Sequence, residues 1–299
     1  MTRSCFAATA LGLALLSCTR RAPVERAAEV HDASSPFVEV AAADAGEDAP
    51  PDAGLRAALG GFPELLELRD GTGKLGVVSV PLGARERRPV MIALHGGSEK
   101  PERACAAWRG VVDAYAFVVC PRGFGGRESA LGWRTAADTA ARIDRALGAM
   151  TKVFGSWILE TSAQVLVGFS MGGSQVALLA RGDPHRWRRI VVGDSAHDPA
   201  PALEFSRTWV DGGGERAIFL CTTSGCEPSL RAAARRVALH GAPARLNVAP
   251  TQVHGLSEPA VQSMRRDWPW LVEGAEGWAS YAVAAIAVPL GTTETFEPK

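Results

Sequence analysis

The chain of 299 residues has no excess of charge of either sign, since 32 lysines and arginines balance 32 aspartates and glutamates. Without an overall field to attract them, neither nucleic acid nor an anionic membrane surface is expected as a partner. The sequence also has no CxxC pair and no clustered histidine and cysteine spacing, so no metal site is expected. Without an internal repeat, the chain is not expected to form a repeat architecture.

The apolar run over residues 6–16 is too short to span a bilayer. Because Arg3 precedes it, the run is typical of an export signal, which we predict over residues 1–17. The Leu-Leu-Ser-Cys sequence that ends at Cys18 resembles a bacterial lipobox, which implies that the Cys18 sulfur carries the lipid. The alternative is an ordinary signal peptide cut nearby, with Cys18 incidental.

Export with a lipid on Cys18 predicts a periplasmic or cell-surface protein that contacts the membrane through its anchor only. Thr19 is not an acidic residue of the kind that retains lipoproteins at the inner membrane, which favours the outer membrane. Residues 18–54 are rich in alanine, acidic residues and proline and cannot bury enough apolar surface to fold. We therefore predict a disordered, lipid-anchored linker over 18–54 and one domain over 55–299.

Short apolar runs alternate with helical patterns in this domain. The middle runs are apolar throughout, as expected where both faces of a parallel sheet are covered. The predicted fold is α/β, with a doubly wound, mostly parallel sheet flanked by helices. The first two strands have no helix between them and predict an antiparallel hairpin at the N-terminal edge. The predicted strands span residues 65–68, 76–80, 90–94, 116–120, 164–167, 189–192, 217–220 and 245–248.

A serine in a glycine-rich turn gives the sharpest local signal. Residues 168–173 read GFSMGG, directly after one predicted strand and directly before a helical stretch. A serine on such a tight turn projects its hydroxyl outward, and the flanking glycines tolerate the strain and the close packing. The context predicts Ser170 as a nucleophile; the alternative is a glycine-rich turn without chemistry.

A serine hydroxyl is a poor nucleophile at neutral pH unless a base takes its proton, and histidine is the usual base. His254 follows the last predicted strand, at the sheet edge where Ser170 emerges, and is the predicted base. The alternative is an uninvolved histidine in a surface loop. His185 and His240 lie near predicted helix ends, and His197 comes before the seventh strand, so all three are less suitable.

The sequence His-Gly-Gly at residues 95–97 closes the third predicted strand. Its glycines allow a backbone N–H to approach a developing oxyanion. We therefore predict an oxyanion hole formed by the amides of Gly97 and Met171, the residue after the nucleophile. Trp133 is a weaker prediction as a residue that lines the substrate pocket, because aromatic residues near sheet edges more often serve packing.

The order of motifs over residues 62–271 resembles that of the α/β-hydrolase superfamily. It consists of a strand followed by HGG, a strand followed by GFSMGG and a helix, and a late histidine. The pattern is most similar to its compact esterases, such as the carboxylesterase, dienelactone hydrolase and feruloyl esterase or polyhydroxybutyrate depolymerase groups. The resemblance implies ester hydrolysis through a seryl intermediate, without a cofactor, on a small or polymeric ester. A peptidase or thioesterase with the same triad is one alternative, and a degenerate hydrolase serving as a surface scaffold is another.

The resemblance also implies an acid between Ser170 and His254, where this chain departs from the usual Asp-Pro element. Glu227 occupies the matching place after the seventh predicted strand and is the preferred acid. Asp194, after the sixth strand, is the alternative, since some members of the superfamily take their acid from there. Both residues also suit a solvated loop.

Four cysteines of the domain are candidates for disulfides in an oxidising compartment. Cys105 is expected to pair with Cys120, because a helix and the strand that follows it bring them together. Cys221 is expected to pair with Cys226, because the two residues bracket one short turn. The alternative is four buried free thiols.

Overall fold

Nine strands form one sheet in the computed structural model of the chain, which describes residues 56–125, 131–160, 164–195, 204–283, 286 and 290–299. The strands are β1 Leu65–Asp70, β2 Gly73–Ser79, β3 Val90–Leu94, β4 Phe117–Pro121, β5 Val165–Phe169, β6 Arg189–Gly193, β7 Arg216–Cys221, β8 Ala244–Val248 and β9 Thr292–Phe296. All described residues belong to one compact unit, Asp48–Lys299. The predicted signal peptide, Cys18, the whole predicted linker and His197 lie outside the described residues.

The sheet has the strand order β1-β2-β4-β3-β5-β6-β7-β8-β9. Neighbours from β4 to β8 run parallel, whereas β1, β2 and β9 each pair in antiparallel fashion. The predicted N-terminal hairpin and the mostly parallel sheet are therefore confirmed. β9 was not predicted, because its sequence TTETF has no apolar alternation.

Helices cover both faces of the sheet. They are α1 Pro101–Val111, α2 Ala136–Phe154, α3 Met171–Gly182, α4 Ser206–Asp211, α5 Glu227–Leu239 and α6 Glu258–Val272. One core cluster joins the sheet to α2, α3, α4 and α5, with Phe154 and Trp209 among its large buried side chains. The other joins it to α1 and α6 through Trp108 and Trp268. Within the described part of the chain, no helix has the length and apolarity that a bilayer span requires.

Local signals explain where several helices begin. Thr135 and Asp138 form a reciprocal capping box at the start of α2, in which Thr135 Oγ1 accepts from the Asp138 amide at 3.1 Å. Proline lies in the first turn of α1, α5 and α6, where its missing N–H costs no hydrogen bond. α1 and α5 thus begin within seven residues of the carboxyl ends of β3 and β7.

Two disulfides join the predicted cysteine pairs. Cys105 of α1 is bonded to Cys120 of β4, with 5.7 Å between their Cα atoms. Cys221, the last residue of β7, is bonded to Cys226, with 5.6 Å between their Cα atoms. The first bond fastens a helix to the sheet, and the second closes the turn that leads from β7 into α5.

A buried carboxylate holds β9 on the sheet. Asp267 of α6 is 2% exposed, and its Oδ2 accepts from Asn247 Nδ2 of β8 and from Thr293 Oγ1 of β9, both at 2.6 Å. A charged acceptor in a buried site needs several donors, and these side chains provide them. The last strand is thus held by polar contacts, which an apolar pattern does not reveal.

Candidate active site

Ser170 lies at the turn between β5 and α3. Its backbone has φ 55° and ψ −122°, a strained conformation for a residue with a side chain. The Ser170 amide donates to the carbonyl of Gly193 at 2.7 Å, which fixes the turn against β6. The side chain is half-buried at the N-terminus of α3, where the helix dipole favours negative charge.

Glycines around Ser170 are required by close backbone contacts. A Cβ added to Gly168 would lie 2.4 Å from the carbonyl oxygen of Gly172, and one added to Gly172 would lie 2.3 Å from that of Leu94. No side chain fits at such distances, so only glycine lets α3 pack directly on the ends of β3 and β5. The GFSMGG sequence thus adopts the predicted strand-turn-helix arrangement.

His254 lies in the loop between β8 and α6, and its Nδ1 is 2.9 Å from Oδ2 of Asp194. The imidazole packs against the ring of Phe169, with 5.0 Å between their centroids. Ser170 and His254 line the same open cavity, which has a volume of ≈ 380 Å³. The structure therefore brings the predicted nucleophile and base to one site.

Asp194 follows β6 and is only 1% exposed. Its Oδ2 accepts from Thr222 Oγ1 at 2.5 Å, and its Oδ1 accepts from Thr223 Oγ1 at 3.3 Å. Both threonines directly follow β7, the neighbouring strand. Hydroxyl donors on a buried carboxylate compensate for its lost hydration and hold it in one orientation toward His254.

The structure places Asp194, the alternative acid, against His254, and not the preferred Glu227. Glu227 is the first residue of α5, and its side chain extends along the helix to Arg231, with 2.7 Å between Oε1 and Nη2. This ion pair is 39% exposed at the glutamate and lies on the helix surface. The residues directly after β7 are instead the two threonine donors to Asp194.

His95 is a fully buried residue at the carboxyl end of β3. Its Nδ1 lies 2.7 Å from the carbonyl of Gly96, and its Nε2 accepts from the amide of Gly123 at 2.9 Å. This pattern requires the neutral tautomer with hydrogen on Nδ1. Burial lowers the pKa of His95 below its usual value of 6.5, which favours that neutral form.

The two residues predicted for the oxyanion hole are neighbours in the structure. A Cβ added to Gly97 would lie 3.3 Å from Cε and 3.9 Å from Cβ of Met171. Met171 is the first residue of α3, and its amide is one of those that a helix leaves without an internal partner. The Gly97 amide donates to none of the residues in the described ranges. Both donors are therefore available at the N-terminus of α3.

Trp133 was predicted to line the substrate pocket, but the structure places it beneath the site. Its side chain is 9% exposed, its Nε1 donates to the carbonyl of His95 at 2.8 Å, and its rings pack against the imidazole of His95 at 4.7 Å. The residues that line the cavity at Ser170 do not include it. Trp133 supports the His95-Gly96-Gly97 segment from behind.

The other described histidines lie away from the site. His185 and His240 precede β6 and β8 and are therefore at the amino ends of these strands, the opposite edge from Ser170. No group of three or more metal-binding side chains lies within the described parts of the chain. Three residues at the site were not predicted from the sequence. Thr222 and Thr223 directly follow the strand after which the acid was expected, and Glu99 lies two residues after the His-Gly-Gly sequence.

The chain matches no model of a known protein family, and no curated protein matches it. Solved structures match it in three dimensions. Est1E from Butyrivibrio proteoclasticus has a TM-score of 0.52 at 13% identity, over 70% of this chain and 99% of that chain. The fluorophosphonate-binding serine hydrolase FphF from Staphylococcus aureus has a TM-score of 0.50 at 11% identity, over 70% of this chain and 97% of that chain. The likeness shows that this chain has the α/β-hydrolase fold.

Proposed function

We propose that the protein is a serine hydrolase that cleaves carboxylic esters through an acyl-enzyme on Ser170. The observation that carries this proposal is the contact of 2.9 Å between His254 Nδ1 and Asp194 Oδ2, beside a cavity that Ser170 and His254 both line. A histidine oriented by a buried carboxylate, next to a serine on a strained turn, is the arrangement that nucleophilic acyl transfer needs.

In the first half of the reaction, Ser170 Oγ attacks the ester carbonyl carbon and its proton passes to Nε2 of His254. The Asp194 carboxylate accepts the Nδ1 hydrogen and stabilises the imidazolium. The carbonyl oxygen becomes an oxyanion, to which the amides of Gly97 and Met171 donate. When the intermediate collapses, the ester C–O bond breaks, and the alcohol leaves with the proton from His254.

In the second half, water replaces the alcohol. His254 takes one proton from the water as its oxygen attacks the acyl carbon, and the same two amides hold the second oxyanion. Collapse breaks the bond to Ser170 Oγ, which recovers its proton from His254, and the carboxylic acid leaves. No cofactor is required for either half.

We propose that the enzyme is exported and anchored through a lipid on Cys18. The support is the lipobox-like sequence and the two disulfides, which are typical of oxidising compartments. Membrane fractionation of Cys18→Ala compared with wild type tests this proposal. Wild type in the membrane fraction and the variant released from it would support it; equal release of both would contradict it.

Labelling with a fluorophosphonate probe tests the catalytic proposal. Folded wild type should be labelled, whereas Ser170→Ala and heat-denatured protein should not. A panel of nitrophenyl esters of rising acyl length then gives the substrate range. Because Est1E has been solved with ferulic acid bound, an alkyl ferulate belongs in this panel, together with a thioester and a peptide. Folded wild type that takes no label and turns over no member of the panel would point to a degenerate scaffold.

A further inference from the structure

The peptide unit that joins His95 to Gly96 is held at both of its polar ends. Its carbonyl, on His95, accepts from Trp133 Nε1 at 2.8 Å. Its N–H, on Gly96, donates to Oε2 of Glu99 at 2.8 Å. With both groups engaged by side chains, this peptide has no freedom to rotate about its own axis without losing a hydrogen bond.

The next peptide unit carries the proposed oxyanion donor. The carbonyl of Gly96 is 2.7 Å from Nδ1 of His95 and accepts a weaker bond of 3.4 Å from the Glu99 amide. The carbonyl and the N–H of a trans peptide point in opposite directions. Anchoring the Gly96 carbonyl therefore turns the Gly97 N–H the other way. The following amide, on Ser98, is engaged by the carbonyl of Leu131 at 2.7 Å.

The side chain of Glu99 lies beside the nucleophile as well as on this loop. It lines the same cavity as Ser170 and His254 and is 21% exposed. An atom at the Cβ position of Gly96 would lie 3.3 Å from Glu99 Oε2 and 3.5 Å from Ser170 Cβ. The Glu99 carboxylate and the Ser170 side chain thus both lie beside Gly96.

We propose that Glu99 is a positioning residue for the oxyanion hole, which acts by holding the Gly96 amide so that the Gly97 amide is presented to the transition state. This inference rests on the proposed function. Glu99 is suited to the task because a carboxylate is a stronger acceptor for an N–H than a neutral oxygen. A preorganised donor stabilises the charge that develops in the transition state more than it stabilises the bound substrate. Loss of this positioning is therefore expected to lower kcat and to leave KM nearly unchanged.

Substitutions of Glu99 distinguish hydrogen bonding from charge. Glu99→Ala removes the acceptor, whereas Glu99→Gln keeps an amide oxygen for the Gly96 N–H and removes only the charge. Glu102→Ala is the matched control, because it removes the same charge three residues further on from a side chain that pairs with Lys74 at 2.6 Å. The readouts are kcat and KM on a nitrophenyl ester, and the inhibition constant of a trifluoromethyl ketone that forms an oxyanion on Ser170.

We expect Glu99→Ala to lower kcat by about 10- to 100-fold, somewhat less than the loss of an oxyanion donor itself, with KM changed by less than about threefold. The inhibition constant of the ketone should rise by a similar factor. Glu99→Gln should stay within about fivefold of wild type, and Glu102→Ala within about twofold. A merely structural role would lower the melting temperature of Glu99→Ala without this selective loss of ketone affinity.

Two results would overturn the inference. One is a folded Glu99→Ala variant with wild-type kcat and ketone affinity; the other is equal loss in Glu99→Ala and Glu99→Gln, which would assign the effect to charge. Failure of the proposed function has a different signature, since wild type itself would neither hydrolyse esters nor bind the ketone.

Discussion

Asp194 and His254 are 60 residues apart in the chain, yet Oδ2 of the one lies 2.9 Å from Nδ1 of the other. Asp194 follows β6 and His254 follows β8, so the strand between them, β7, ends beneath their contact. That strand end carries Thr222 and Thr223, whose hydroxyls donate to the Asp194 carboxylate. The carboxylate that contacts His254 and the hydroxyls that donate to it are therefore divided between two neighbouring strands.

Asp194→Asn should lower kcat by about 10³- to 10⁴-fold, because an amide in place of the carboxylate neither fixes the productive tautomer of His254 nor stabilises the imidazolium. Glu227→Gln, which alters a surface ion pair with Arg231, should stay within about twofold of wild type. Steady-state turnover of a nitrophenyl ester measures both, with circular dichroism to establish folding. Loss of activity in Glu227→Gln alone would reverse the assignment of the acid.

Thr222→Val should lower kcat by about tenfold while the enzyme stays folded, because valine has the same shape but cannot donate to Asp194. A hydrogen bond to a charged group contributes about 1.5–3 kcal/mol, and part of this contribution orients the carboxylate. Thr223→Val should cost less, about threefold, since its hydroxyl lies 3.3 Å from Oδ1 compared with 2.5 Å for Thr222 to Oδ2. The prediction fails if the order of the two effects is reversed.

Gly172→Ala should lower the melting temperature by at least about 8 °C. The added Cβ would lie 2.3 Å from the Leu94 carbonyl oxygen. A clash that costs about 4 kcal/mol has this effect on the melting temperature of a domain of this size. Gly148→Ala is the matched control on the exposed side of α2, where an added Cβ meets nothing within 4 Å. It should instead stabilise the protein by about 0.5–1 kcal/mol. Thermal unfolding measures both, and similar shifts would contradict the packing argument.

The buried His95 should make the protein less stable in acid. Its pKa in the folded protein lies below the ordinary value of 6.5 because of burial. As pH falls below about 6.5, the unfolded chain binds a proton at this position that the folded protein resists, so the free energy of unfolding decreases. The melting temperature of wild type should therefore fall more steeply between about pH 7 and pH 5 than that of His95→Gln. Parallel pH profiles of the two proteins would refute this.

The two disulfides should differ in what their removal costs. Replacing both Cys105 and Cys120 by alanine removes a cross-link between residues 15 apart in the chain. Loop entropy predicts that the free energy of unfolding falls by about 3 kcal/mol. The Cys221–Cys226 pair encloses a separation of only 5 residues, for which the loss is about 2 kcal/mol. Because the second bond encloses Thr222 and Thr223, its removal should lower kcat more than removal of the first bond does. Urea unfolding and ester turnover of the two double variants test this contrast.

The sequence was sufficient where a local pattern determines the structure. The apolar runs placed eight strands correctly, and the glycines around Ser170 predicted its turn because their contacts allow no other residue. One disulfide followed from a helix and the strand after it, and the other from a short turn that its two cysteines bracket. His254 was placed at the right sheet edge because it follows a parallel strand.

Which carboxylate contacts His254 depends on distances between strands, which no local pattern contains. Glu227 matches the usual position along the chain, but its side chain pairs with Arg231 on its own helix. Trp133 lies beneath the site, and not in the pocket, because its indole N–H donates to the buried carbonyl of His95. β9 was missed because its sequence has no apolar alternation, although backbone pairing with β8 and a polar network around Asp267 hold it on the sheet.

Because Asp194 follows β6, the turn after β7 contributes only the hydroxyls of Thr222 and Thr223 to the site, and the Cys221–Cys226 disulfide closes it. Beyond them, Ser224 and Gly225 are exposed, and an added Cβ at Gly225 meets nothing within 4 Å. This tip is consequently a natural attachment point. A fluorophore or an affinity tag attached at Gly225 would lie two residues from Thr223 and would replace neither Ser170 nor His254 nor Asp194.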